Sequence, residues 1–259
     1  MLFFLSKSLL YVITNSFDMR IIARIDIKNN FVIKGINLEG LRKIGDPINI
    51  AKQYYLDGID ELLVIDSVAS LYGRNNLFDL IKNITKNIFV PITLGGGIRS
   101  LKDIEHALNS GADKVAINSM ALDNPNFLNE AVSNFGESTI LVNIEAKKIS
   151  ENKWEPYKFC GREKTNLDLN DWIKKIQSEG CGEILLTSID NEGTETGFDI
   201  ELLDSIEKIT KKPLIASGGC GSLDHISELN RRFKNISVAL ASVLHYETLT
   251  ISEIKKILS

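Results

Sequence analysis

The chain has 259 residues, 44% of them hydrophobic and 25% charged, with a formal net charge of −4. That is enough apolar material for one large domain, and too acidic a balance for a nucleic-acid surface, which needs a basic face; small anionic ligands remain open. Its three cysteines (Cys160, Cys181, Cys220) lack a CxxC and its three histidines (His106, His225, His245) lack ligand spacing, so neither a disulfide framework nor a metal or cofactor is expected, and the pattern fits a reducing, cytoplasmic compartment.

Residues 1–18 (MLFFLSKSLLYVITNSFD) are apolar but carry Lys7 and several hydroxyl residues. The stretch is too short and polar to span a bilayer and has neither a basic leader nor a small-residue cleavage site. It reads as an extension outside the fold, with Met19 as the functional start, 19–259 as a single domain and no membrane partner.

From residue 20 onward, short β-rich runs alternate with amphipathic helical stretches. The strands are expected at 20–27, 61–66, 90–94, 114–118, 139–146, 183–188, 212–217 and 237–242. Helix starts are marked by Asp46-Pro47, by Ser100 before LKDIEHAL, by Asn124-Pro125 and by Ser222 before LDHISEL. Alternating β and α units imply a parallel sheet, and eight of them imply closure into an α/β fold of the (β/α)8 TIM-barrel type. The connection after the first strand, 28–47, is long for a βα loop and reads as a functional lid.

The sequence also repeats at half a barrel. FVPITLGGGIRSLKDIEHALNSGADKVAINSMA (89–121) matches KKPLIASGGCGSLDHISELNRRFKNISVALASVL (211–244), DGIDELLVID (57–66) matches EGCGEILLTS (179–188), and RIIARIDIK (20–28) matches ILVNIEAKK (140–148). The repeat places Glu61 opposite Glu183 and Asp26 opposite Glu145. In this fold the working face is the C-terminal rim of the strands. There Gly96-Gly97 with Asn118-Ser119, and Ser217-Gly218-Gly219 with Ala241-Ser242, form two small-residue turns, each paired with the end of the next strand. Such turns let backbone N–H groups approach an anion. Two of them half a barrel apart predict a substrate with a phosphate at each end. Asp26 and Glu145 end strands on opposite sides of the axis and suit paired acid/base work. Lys34, in the lid, can reach an anion. At the other rim Arg20, Glu61, Lys114 and Glu183 start four strands and alternate in sign, which reads either as an ion-pair plug or as a gate on a path through the barrel.

Together these residues resemble the cyclase subunit family of imidazole glycerol phosphate synthase (HisF). The resemblance covers 19–258 and is carried by VIKGINLEGLRKIGDP, LGGGIRS, GADKVAINS, GEILLTSID, IASGGCGS and ALASVLH. It implies ammonia-dependent cleavage and ring closure of a bisphosphorylated formimino-aminoimidazole carboxamide ribonucleotide in histidine biosynthesis. It also implies a HisH-like glutaminase subunit on the N-terminal face, touched by Asp113, with ammonia passing the charged gate. Asp26 matches the family's strand-1 acid/base. Thr187, Glu192 and Gly193 join the phosphate set. Four departures stand out: Glu145 and Glu192 where the family has aspartate, Arg24 for a small cysteine, and Asn143 for alanine. Arg24 is expected to lie under the acids, pair with one of them and lower their pKa values. The departures keep open a second function, a non-catalysing ammonia conduit serving an enzyme that amidates a surface-polysaccharide sugar, and a third, the related phosphoribosyl-formimino isomerase.

Overall fold

The computed structural model describes residues 19–69 and 77–258, so the extension expected at 1–18 lies outside the described residues. In chain order these hold strands β1 (Ile21–Lys28), β2 (Phe31–Ile36) and β3 (Glu39–Gly45), helix α1 (Pro47–Leu56), β4 (Glu61–Asp66), α2 (Phe78–Ile84), β5 (Ile92–Gly95), α3 (Leu101–Asn109), β6 (Lys114–Ile117), α4 (Ser119–Asp123), α5 (Asn126–Phe135) and β7 (Ile140–Ser150). There follow β8 (Lys153–Lys158), β9 (Glu163–Lys164), α6 (Leu169–Glu179), β10 (Glu183–Ser188), α7 (Ile200–Glu207), β11 (Leu214–Ser217), α8 (Leu223–Arg232), β12 (Ile236–Leu240), α9 (Ser242–His245) and α10 (Ile251–Leu258).

Eight strands pair in parallel in the order β1, β4, β5, β6, β7, β10, β11, β12, and β12 closes on β1 with Ile21 opposite Val238. The result is a TIM barrel without a free edge in its wall. All eight expected strands are present. The boundaries tighten where backbone chemistry intervenes: Val90 and Pro91 precede β5, and Ala241 caps a short helix whose first residue is Ser242.

Strand alternation divides the apolar residues into two cores. On β1, Ile21, Ala23, Ile25 and Ile27 face the helices and join the large outer core, whereas Ile22 belongs to an inner layer with Leu63, Ile65, Ala116, Leu141, Leu185, Ile215 and Ala239. Arg24 and Asp26 share the inward side with Ile22, since side chains repeat at every second residue. Lys114, Ala116 and Asn118 likewise make one inward column on β6 and its cap, and Leu141, Asn143 and Glu145 make the next on β7.

Three of the four helix starts are built from the residues that mark them. Asp46 accepts from the N–H of Asn49 at 2.9 Å with Pro47 at the first helical position, Ser100 from Asp103 at 3.2 Å, and Ser222 from His225 at 3.4 Å. At the fourth, Pro125 itself is the cap residue and no side chain closes the turn. The lid is more ordered than a loop: β2 and β3 form an antiparallel hairpin that continues β1 past the rim. A matching hairpin, absent from the sequence reading, follows β7: β8 pairs back on β7 with Glu145 opposite Tyr157, and β9 extends it. The half-barrel symmetry therefore extends to the excursions above both acids.

Candidate active site

Asp26 and Glu145 lie inside the C-terminal rim as expected, but in different surroundings. Arg24 is 2% exposed and crosses the lumen. Its Nε donates to Asp26 Oδ2 at 3.0 Å and Oδ1 at 3.2 Å, and its Nη1 donates to Thr187 Oγ1 at 3.0 Å and Ser217 Oγ at 3.1 Å. It pairs with Asp26 and not with Glu145. Burial works against its charge, but Asp26, Glu192 and Glu145 overcome that and hold the guanidinium protonated. Glu145 Oε2 instead accepts from the Gly161 N–H at 2.9 Å and from Asn118 Nδ2 at 3.1 Å. Burial pushes its carboxyl up to about 7, against the lowering pull of Arg24 and of the Gly161 N–H. The expected lowering by Arg24 is thus present for Glu145 but outweighed, because desolvation of a fully enclosed carboxylate is the larger effect.

Asp26 and Glu145 open onto adjoining cavities. One, of about 110 Å³, is lined by Glu145, Asn143, Gly96, Gly97, Asn118, Ser119 and others; a second, lined by Asp26, Arg24 and Lys34, adjoins it, and Cys160 lines both. Cys160 comes from the turn between β8 and β9. Its Sγ donates to the Ser67 carbonyl at 3.2 Å, and burial pushes its thiol well above the usual range.

The two glycine turns expected to cradle anions are built alike and differ in the space they leave. Gly96 (φ +89°) and Gly218 (φ +95°) each press on the end of the preceding barrel strand: a Cβ on Gly96 would lie 2.3 Å from the Asp66 carbonyl oxygen, and one on Gly218 would lie 2.9 Å from that of Ser188. Those carbonyls are themselves equivalent in the repeat, so the glycines are required by close backbone approach as well as by φ. In the first cradle the Ser119 hydroxyl accepts from the Phe159 N–H at 3.2 Å, and the Asn118 amide also donates to the Tyr157 carbonyl at 3.2 Å. In the second, Lys34, Glu192, Gly193, Ser217, Gly218, Gly219, Ala241 and Ser242 converge, but the remaining space is about 20 Å³, room for a water and not for a phosphate. The space is taken by Glu192, which makes a buried ion pair with Lys34 and approaches Gly218. Burial raises the Glu192 carboxyl, but Lys34 and Arg24 more than reverse this and hold it below the usual range. Lys34 is itself only 4% exposed and so is no solvated lysine. The Asn37 N–H donates to the Glu192 carbonyl at 2.6 Å, which fastens the β2–β3 hairpin to this corner.

At the opposite rim the four expected charges form one cluster. Arg20 pairs with Glu61 and, at 2.5 Å, with Glu183; Lys114 reaches Glu61 at 3.3 Å and Glu183 at 2.8 Å. Arg20 Nε also donates to Ser237 Oγ at 3.2 Å. Burial raises the Glu183 carboxyl, and the two cations outweigh it and hold it low. Exposed Asp113 accepts from the Ile92 N–H at 2.8 Å at the same rim.

Tyr157, Phe159, Cys160 and Arg162 reach the rim but were not singled out in the sequence. The sequence signal for them is the symmetry itself: the stretch between β7 and α6 is as long as the one between β1 and α1.

A family model described as histidine biosynthesis protein matches residues 20–250. The chain is 49% identical over 210 residues to the imidazole glycerol phosphate synthase subunit HisF of Legionella pneumophila, covering 81% of this chain and 99% of that relative. It is 42% identical over 237 residues to the subunits of the same name from Bacillus cereus strains G9842 and Q1, in each case covering 92% of this chain and 94% of the relative.

Proposed function

Because the chain belongs to the histidine biosynthesis protein family, among the HisF subunits of imidazole glycerol phosphate synthase, we propose that its rim carries out the cyclase reaction with Asp26 and Glu145 as the proton-transferring pair. The enzyme is a lyase of histidine biosynthesis. Its substrate is the bisphosphorylated formimino-aminoimidazole carboxamide ribonucleotide, and its products are imidazole glycerol phosphate and aminoimidazole carboxamide ribonucleotide.

The observation that carries the site assignment is the difference in environment of the two acids. Ammonia condenses with the carbonyl carbon, whose oxygen leaves as water. The new nitrogen then closes the ring on the formimino carbon and expels the aminoimidazole ribonucleotide as an amine. Each nitrogen attack needs a proton removed and each departure a proton delivered. Asp26, ion-paired with Arg24, serves as the acceptor. Glu145, uncharged below about pH 7, serves as the donor. The roomy first cradle takes one phosphate. The second is reached when the Glu192 carboxylate moves off Gly218 and Lys34 transfers its charge to the incoming dianion. As a subunit the chain works with a partner, here assigned as a glutaminase docked at the rim of Arg20, Glu61, Lys114, Glu183 and Asp113, with its ammonia passing between those charges. Among the described residues no helix is long and apolar enough to cross a membrane.

The test is turnover of the bisphosphate with ammonium chloride and no partner. The wild-type chain should form imidazole glycerol phosphate, and Asp26→Asn should lose roughly 10²-fold or more in kcat/KM. Full activity in Asp26→Asn would remove Asp26 from the chemistry. No turnover by the wild type would leave the conduit role, on whose side the relevant observation is Arg24 engaging the Asp26 carboxylate.

A further inference from the structure

The two hairpins above the rim return on their barrel strands in the same register. Val32 of β2 stands opposite Ile27 of β1, and Pro156 of β8 stands opposite Ala146 of β7. Ile27 follows Asp26 and Ala146 follows Glu145, so the two pairings are equivalent in the half-barrel repeat. Two residues further along each returning strand comes a lysine: Lys34 in the first hairpin and Lys158 in the second. Side chains two apart on a strand share a face, so each hairpin carries one lysine in the same place.

The equivalence extends to what each lysine holds. Lys34 pairs with Glu192 at the second glycine turn. Lys158 Nζ lies 2.8 Å from Asp123 Oδ1, and Asp123 lines the 110 Å³ cavity with Gly96, Gly97 and Ser119. Phe159 and Cys160, which follow Lys158, line the same cavity, and the Phe159 N–H donates to the Ser119 hydroxyl. The ammonium therefore stands one side chain away from the open space at the first turn. The two pairs differ in setting. The Lys158 side chain is 17% exposed and that of Asp123 is 51% exposed, whereas Lys34 and Glu192 are enclosed. A second exposed carboxylate, Glu163 of β9, lies 3.0 Å from the same nitrogen. Ion pairs at the solvent edge contribute little, so the ammonium can leave both at small cost. The cavity has a use for it. Among the described residues three carboxylates, Asp66, Asp123 and Glu145, line it against one guanidinium, that of Arg99. A phosphate entering there meets more negative than positive charge unless a second cation moves in.

We propose that Lys158 binds the substrate phosphate at the first turn, moving from Asp123 and Glu163 onto the dianion, as the counterpart of Lys34 at the second turn. The proposal rests on the reading of the first turn as a phosphate berth. No bond is made or broken at Lys158: its ammonium exchanges carboxylate partners for phosphate oxygens, with which charge-assisted contacts are strong. The same assignment accounts for the unequal space at the two corners. Glu192 reaches its lysine across Gly218 and fills the turn, whereas Asp123 holds Lys158 from the end of α4 and leaves the turn open. Asp123 is then a competitor for the ammonium, and the two residues act on the ligand with opposite sign.

The test uses ribose 5-phosphate as a probe with a single phosphate, titrated at low ionic strength and followed by the amide resonances of Gly97 and Ser119. Lys158→Met should raise the Kd about tenfold, and Lys158→Arg should restore most of it. Asp123→Asn should lower the Kd about two- to threefold, because it frees the ammonium from a weak surface pair. With the bisphosphate as the varied substrate, KM should move in the same directions, while kcat and the KM for ammonium hold. A pair that only pins the second hairpin gives a different pattern: Lys158→Met and Asp123→Asn would weaken binding together, and that result overturns the proposal. An unchanged Kd in Lys158→Met, with the wild type still responding at Gly97 and Ser119, sinks Lys158 alone. Silence of those resonances in the wild type removes the phosphate berth at the first turn and the proposal with it.

Discussion

At the scale of single residues, burial and charge pull the two acids apart. Glu145 is held protonated more firmly in the folded protein than in the unfolded chain, because burial pushes it up to about 7. Ionising it therefore costs stability. The cost is absent below the ordinary carboxyl range, grows as pH rises through it, and is complete above about 7. Glu145→Gln cannot ionise but still accepts from the Gly161 N–H. Thermal melting of the two proteins should coincide in acid and diverge with rising pH, the variant gaining up to about 3 kcal/mol by about pH 8. A constant difference across that range would refute the assignment. The residue scale is also where the sequence was least legible. The inward sides of Arg24 and Asn143 follow from strand period, and both were read correctly as lying under the acids. What Arg24 bonds to was not legible, since Thr187 and Ser217 are 163 and 193 residues away and meet it only when the barrel closes. Nor could the filling of the second cradle by Glu192 be read, because it depends on where the Lys34 hairpin docks.

At the scale of elements, period and punctuation were enough. Eight apolar runs, bounded by Asp46-Pro47, Ser100 and Ser222, became eight strands and capped helices, because each signal is local and agrees with its neighbours. The second hairpin was not legible for the opposite reason. Its β7–β8 turn holds Asn152 at positive φ, and the Phe159-Cys160-Gly161 turn into β9 has positive φ at all three residues, conformations that composition does not announce. Element ends also carry a quantitative comparison. Alanine at Gly96 would press on the Asp66 carbonyl oxygen more closely than alanine at Gly218 on that of Ser188. Gly96→Ala should cost roughly 2 kcal/mol or more and Gly218→Ala somewhat less, read as shifts in urea midpoint. Equal or reversed costs would mean that the turns relax freely.

At the scale of the whole molecule, the barrel has a polar floor, an apolar layer and a polar mouth. The floor's four charges neutralise one another, so one substitution leaves an unpaired charge at the rim where the proposed function places the partner. Lys114→Met should lower glutamine-dependent turnover of the complete synthase by roughly five- to hundredfold, while turnover with ammonium salt, which reaches the mouth directly, changes little. Equal loss in both assays would make the cluster a structural plug. The mouth has its own asymmetry. The first turn opens into the cavity of about 110 Å³ shared with Glu145, whereas the second retains about 20 Å³. Under the proposed function, one end of the bisphosphate lands first in the open cavity while the second waits for Glu192 to swing aside. That proposal sets the order of loading, so a short phosphomonoester should protect the β5–β6 corner from hydrogen exchange long before it protects the β11–β12 corner, and simultaneous protection would show that the order does not exist.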